Sequence, residues 1–527
     1  MKQIITFGKL IMLLTLLLLS CKVDVVRTGD HNPAPYLEEI TIGELTKGYL
    51  DGSYTIEEVV SDYLKRIEAL DKNGPALNSI ITVNPQALEI ARELDRELKD
   101  GRVRGPMHGV PVILKDNIDT YDKMPTTGGS LALAGSIALK DSKVAEKLRE
   151  AGAVIIAKSN LSEWANFRAS FSSSGWSGAG GQTKNPYDLT RNPCGSSSGS
   201  GVAVSANLCI IAIGTETNGS IVCPSNNNGI VGLKPTVGLI SRSGIIPISF
   251  TQDTPGPMGR TVADVAISLG VIVGIDSLDS KTMNRDAKFY DDYTAFLKTD
   301  GLKGKRVGRI IGLRGFHHKV DSLMNSAADY IKAAGGEVID IDFPLPQGAS
   351  AASFQVMLFE FKDGLNRYFA SLGEGAPVKS LEELIEFNKR VPEELRYFNQ
   401  ELLIMAQEKG SLESKEYREM LERMLRITGK EGIDKVMSDN DLDALMAPTG
   451  SPAWKTDLVN GDNFKGSSSS YAAISGYPNI TLPMGRVEGL PVGISFFGRA
   501  WSEPILLEIA YSFEQGTKHR FPPKYNK

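Results

Sequence analysis

Histidine is scarce in this chain, with five residues among 527. The scarcity bears on nucleophilic chemistry, because a serine or thiol needs a proton acceptor beside it, and histidine is a common one. None of the five sits in a local motif: His31 is in a polar N-terminal linker, His108 beside a Gly/Pro turn, His317 and His318 in a charged stretch, and His519 near the C-terminus. Each reads as a surface or structural residue. Cysteine is rarer still. Apart from Cys21, only Cys194, Cys209 and Cys223 occur, at no metal-ligand spacing. An odd set of three does not make a disulfide framework, so each is expected to be a small buried hydrophobe. With no His/Cys/Asp cluster at ligand spacing, neither a metal nor a cofactor is expected. An excess of positive charge is also missing: 58 Lys and Arg against 63 Asp and Glu leave a net charge of −5, which disfavours a nucleic-acid partner.

What the chain does have is two glycine- and serine-rich segments close together. Cys194-Gly195-Ser196-Ser197-Ser198-Gly199-Ser200-Gly201 is followed by Gly214-Thr215-Glu216-Thr217-Asn218-Gly219-Ser220-Ile221. A serine in such a loop needs a base, which is a histidine, a carboxylate or a lysine kept neutral by burial. Lys115 closes the apolar run Gly109-Val110-Pro111-Val112-Ile113-Leu114. A lysine at the end of a buried strand loses hydration, which disfavours its charged form and lowers its pKa. Two other readings of the loops stand beside this one. They are flexible turns or a phosphate-binding nest, although Gly-Lys-Ser/Thr is missing. Alternatively, Gly195–Gly199 is a nucleophile elbow centred on Ser197, which would need a histidine and an acid downstream.

These pieces resemble the amidase-signature enzymes, serine hydrolases with a Ser-Ser-Lys triad. The resemblance rests on the strand ending in Lys115-Asp116-Asn117, the Gly/Ser loop, the second serine 24 residues after Ser196, and Gly232-Leu233-Lys234-Pro235-Thr236. It continues through Gln252-Asp253-Thr254-Pro255-Gly256-Pro257-Met258 and Gly476-Tyr477-Pro478-Asn479, in family order from about residue 40 to the C-terminus. It implies an α/β fold, an α/β/α sandwich around a large mixed twisted sheet, with an added helical layer. It also implies Ser220 as nucleophile, Ser196 as bridging serine after a cis Gly195–Ser196 peptide, and Lys115 as the final base. Backbone N–H groups of Thr217, Asn218, Gly219 and Ser220 would form the oxyanion hole. The implied activity is hydrolysis of carboxamides to carboxylate and ammonia through an acyl-enzyme. Gly-Thr-Glu-Thr-x-Gly-Ser-Ile-Val-Cys-Pro is most similar to the peptide amidases, so the expected partner is a small-molecule or peptide amide. Asn218 departs from the Asp expected there. Val222 stands where the amidase subunits of tRNA-dependent amidotransferases carry an arginine, which disfavours that alternative. An inactive surface binding protein is a further alternative, opposed by retention of all three triad residues.

The N-terminus differs in kind. Lys2 and Lys9 precede the leucine-rich segment Leu10–Leu19, and Leu18-Leu19-Ser20-Cys21 closes it. Ten residues are too few for a bilayer-spanning helix, which takes about 20, but suit a signal-peptide core. The ending resembles a bacterial lipobox, which implies a signal peptide over 1–20, lipid on Cys21 and a polar tether through 36. The alternative is an ordinary cleaved signal with Cys21 incidental. On either reading the enzyme is exported, and the lipobox makes it a cell-envelope lipoprotein held to a membrane by its lipid.

The catalytic domain then spans 37–527. Thr55-Ile56-Glu57-Glu58 reads as a capping box opening an amphipathic helix, and a second helix runs from Asn84-Pro85 through Leu98. Helix-glycine-strand order recurs at Ala145–Ala157 and Ala327–Ile341, which argues for an α/β sandwich. After Gly201 a helix is expected over Val202–Leu208 and a strand over Ile210–Ile213. Residues 351–440, rich in Glu, Lys, Arg and Leu, predict a helical layer over part of the substrate entrance, and Asp443–Thr449 a return to buried strand.

Overall fold

The computed structural model describes residues 34–525. The expected signal segment, Cys21, His31 and most of the tether lie outside the described residues. Within them, eleven strands form one sheet. In chain order these are β1 (Ile80–Val83), β2 (Pro111–Lys115), β3 (Val154–Ser159), β4 (Ile211–Glu216), β5 (Val231–Lys234) and β6 (Thr254–Gly259). The rest are β7 (Arg306–Ile310), β8 (Glu337–Ile341), β9 (Ala444–Pro448), β10 (Asn479–Val487) and β11 (Leu490–Phe497). Their spatial order is β1-β3-β2-β4-β6-β5-β10-β11-β9-β7-β8. Two parallel patches, β3-β2-β4 and β9-β7-β8, flank an antiparallel centre, so the sheet is mixed, as expected. Every residue of β2, β3 and β4 is buried. Because successive side chains point to opposite faces, both faces of the sheet are covered.

Local chemistry accounts for where several of the helices begin and end. The capping box at Thr55 forms: its side chain accepts from Glu58 N–H, and the Glu58 carboxylate accepts from Thr55 N–H at 2.8 Å. A second, at Thr41 and Glu44, opens Ile42–Asp51. The helix expected over Val202–Leu208 lies instead at Ser198–Ser205. It starts inside the Gly/Ser segment because small residues let its first turn press on neighbouring backbone. Gly199 N–H donates to Asn160 O at 2.9 Å, and a Cβ on Gly199 would lie 2.2 Å from Ser79 O. It ends early because Asn207 takes a positive φ of 56°.

The helical layer comprises Ala349–Ser371, Leu381–Arg390, Glu401–Gln407 and Lys415–Leu425. Its apolar side makes a core of its own, in which Phe361, Leu365, Phe369 and Leu384 meet Trp164 and Ile246. The layer therefore rests on loops beside β2 and β3. Among the described residues, no helix is long and apolar enough to cross a membrane.

Candidate active site

Lys115 is the last residue of β2, opposite Ser159 of β3, while its neighbour Leu114 pairs with Ile213 of β4. This register brings Lys115 beside the C-terminal end of β4, where Thr215 lies. The lysine is fully buried. Its Nζ donates to Ser196 Oγ at 2.7 Å, to Thr215 Oγ1 at 2.8 Å and to Thr215 O at 3.2 Å. Asn117 Nδ2 donates to the same Thr215 Oγ1 at 3.0 Å, which fixes the hydroxyl between lysine and amide. Burial pushes the Lys115 ammonium down to about 7, against the opposing pull of the Asp253 and Glu216 carboxylates. Near neutral pH the side chain therefore holds a large uncharged population, able to take a proton from Ser196 across the existing 2.7 Å contact.

Ser196 is fully buried and follows a cis Gly195–Ser196 peptide bond. Its carbonyl accepts from Ser162 N–H at 3.0 Å, and the next amide, Ser197 N–H, donates to Ser220 O at 3.1 Å. The two serine loops are thus stitched together by backbone. Ser220 retains 9 % exposure, and its hydroxyl makes no hydrogen bond among the described residues. Ser197, the centre of the alternative elbow, is committed elsewhere: its Oγ donates to Thr215 O and accepts from Thr215 N–H. His108 is also committed, with Nδ1 accepting from Arg104 N–H and Nε2 against Leu94 O.

The loop carrying Ser220 is organised by Glu216, a residue with no role in the triad or the expected oxyanion hole. One carboxylate oxygen accepts from Gly219 N–H at 2.8 Å, the other from Ile221 and Val222 N–H at 2.8 and 3.0 Å. Of the four amides expected at an oxyanion hole, that of Gly219 therefore already has an acceptor. Those of Thr217, Asn218 and Ser220 have none among the described residues. Gly219 sits at φ +85°, a left-handed conformation that glycine adopts without strain. A signal for Glu216 was present in the sequence, as the only charged residue in Gly214–Ile221. Asp253, likewise unassigned from sequence, accepts from Thr217 Oγ1 at 2.6 Å and from Ile248 and Ser249 N–H; burial pushes it up to about 6. Asn218, the departure from the expected Asp, is held by the hydroxyls of Ser469 and Ser470 at 2.7 and 3.1 Å.

One expectation is corrected. Cys194 and Cys223 are not separate buried thiols but a disulfide, with Cα atoms 5.9 Å apart; Cys209 alone is free and buried. Three cysteines carry no parity signal, and only folding brings together the residue two before Ser196 and the residue three after Ser220.

A cavity of 810 Å³ opens beside the site. It touches Asn117, Thr215 and Thr217, and the helical layer contributes Arg367, Tyr368 and Leu372 to its wall.

With this geometry in hand, the similarities of the chain become informative. The sequence pattern of the family described as Amidase matches residues 58–507. The chain is 41 % identical over 502 residues to a probable amidase of Arabidopsis thaliana, covering 93 % of this chain and 92 % of the other. It is 33 % identical over 509 residues to a glutamyl-tRNA(Gln) amidotransferase subunit of Thermoanaerobacter pseudethanolicus, covering 93 % and 98 %. Among solved structures, the native peptide amidase from Stenotrophomonas maltophilia superimposes with a TM-score of 0.89 at 47 % identity, over 94 % of this chain and all of that one.

Proposed function

The chain belongs to the amidase family and is an amidase that hydrolyses carboxamides, and on that premise we propose that Ser220, Ser196 and Lys115 carry the reaction. Ser220 Oγ attacks the amide carbonyl, Ser196 takes its proton and passes its own to neutral Lys115. The tetrahedral oxyanion is met by the free N–H groups of Thr217, Asn218 and Ser220, each such donor lowering the barrier by about 2.7–4 kcal/mol. The relay then runs in reverse, protonating the leaving nitrogen as ammonia departs. Water hydrolyses the acyl-enzyme by the same route. The observation that carries this reading is the 2.7 Å contact between a fully buried lysine and Ser196.

The substrate we propose is a C-terminal peptide carboxamide, on the strength of the similarity to the peptide amidase. We also propose that the enzyme is exported and lipid-anchored through Cys21. Leu18-Leu19-Ser20-Cys21 supports this, and so does a disulfide in the catalytic region, since such bonds persist chiefly in oxidising compartments. Ammonia release from a panel of peptide, aliphatic and aryl amides tests the reading. Peptide amides should be turned over fastest, and Ser220→Ala should lose on the order of 10⁴-fold or more in kcat. Wild-type turnover by Ser220→Ala would remove Ser220 from the mechanism.

A further inference from the structure

The cavity beside the site has a volume within the usual range for ligand pockets, about 300–1,000 Å³. Thr217 belongs both to the loop carrying Ser220 and to the cavity wall. Thr217 thus joins the loop that carries Ser220 to the cavity. The inner wall is apolar, built from Ile245, Ile246, Pro247 and Ile248.

The charged groups divide by depth and by partner. The carboxylates in the wall are committed: Asp253 to Thr217 and two amides, Asp119 to the Tyr368 hydroxyl at 2.9 Å, and Asp279 to Arg242. Arg242 is consumed by that pair, and Arg367, over the Phe250 ring, pairs with Asp363 at 2.8 Å. Lys140 and Lys281 also line the cavity, both are exposed, and neither pairs with a carboxylate among the described residues. The outer part of the cavity thus offers two uncommitted ammonium groups beyond an apolar wall.

We propose that this cavity receives the acyl side of the substrate and selects peptide amides bearing a carboxylate upstream of the amide, with Lys140 and Lys281 as specificity-determining residues. The inference rests on the assignment of Ser220 as nucleophile. An acidic side chain meeting two unpaired lysines gains Coulomb attraction without breaking an existing ion pair, whereas a basic one is repelled. Because the lysines are exposed, salt screens the effect.

The test compares hexapeptide amides identical except for Glu, Gln or Lys scanned along the positions upstream of the amide, assayed by ammonia release. At one or more positions, wild-type kcat/KM should be about 3–10-fold higher for Glu than for Gln at low ionic strength and converge at about 0.5 M salt. In the Lys140→Glu/Lys281→Glu double variant the Glu-to-Lys peptide ratio should invert, while Lys140→Arg/Lys281→Arg should keep it. A wild-type ratio near one at every position, or a ratio unmoved in the Glu variant, overturns the proposal. Absence of ammonia from every peptide, Gln peptides included, would instead overturn the peptide-amidase reading itself, so the two failures are distinguishable.

Discussion

A base made from lysine must lose its proton before it acts, and Lys115 is arranged for that loss. Burial favours the neutral amine, while Asp253 and Glu216 favour the ammonium, leaving the group at about 7. The sign of the pH dependence follows: kcat/KM should rise as pH increases through about 7 and then level off. Lys115→Ala should lack that limb along with most activity, and Lys115→Arg should be no better, because a guanidinium stays protonated and accepts nothing. A fully active Lys115→Arg enzyme would mean the residue supplies only positive charge. Asp253→Asn provides a finer probe. Removing the carboxylate withdraws one of the two influences that hold the proton on Lys115, so the limb should move to lower pH; a shift to higher pH would contradict the electrostatics. Lys115 was readable from sequence because a lysine that closes an apolar run is carried into the interior with its strand, where burial acts on its charge. Asp253 was not, because its role depends on a fold that carries Thr217 across to it.

At the scale of elements, the site is two loops joined three ways: by backbone between Ser197 and Ser220, by Glu216 gathering three amides, and by the Cys194–Cys223 disulfide. Glu216→Gln leaves one good acceptor where three N–H groups converge. Hydrogen bonds to a charged group contribute about 1.5–3 kcal/mol each, so kcat should fall about 100-fold while the far-ultraviolet circular dichroism stays unchanged. Equal kcat would show that the loop holds its shape without the carboxylate. Replacing Cys194 and Cys223 by Ala should lower stability by about 2–4 kcal/mol, read from the denaturant midpoint, and reduce kcat as well. Cys209→Ala should do neither to a comparable degree, since that thiol bridges nothing. The strands were legible because β2, β3 and β4 open with the apolar runs Pro111–Leu114, Val154–Ala157 and Ile211–Ile213, and every residue of the three is buried. The start of the Ser198–Ser205 helix was not, because periodicity favours the valine-rich piece and says nothing of how closely glycines let a helix approach Ser79 and Asn160. The disulfide was hidden for a related reason, its halves being 29 residues apart and joined only by tertiary structure.

At the scale of the whole molecule, the question is where an 11-stranded catalytic body is held. The segment before it combines Lys2 and Lys9, a leucine-rich core of ten residues and Leu18-Leu19-Ser20-Cys21. A ten-residue core falls about ten residues short of a bilayer-spanning helix, so attachment through it alone would be weak, whereas lipid contributes about 0.8 kcal/mol per buried CH₂. Lipid on Cys21 therefore predicts a mature chain that begins at Cys21, incorporates labelled fatty acid and sediments with membranes when expressed from its full-length gene in a bacterial host. Cys21→Ser should abolish the label and move the enzyme to the soluble fraction, with kcat on a short peptide amide retained, because residue 21 lies before the body that carries Lys115, Ser196 and Ser220. Loss of the label with unchanged sedimentation would assign the attachment to Leu10–Leu19 itself. Absence of label from the wild type, together with a mature N-terminus elsewhere, would make the segment an ordinary cleaved signal and Cys21 incidental.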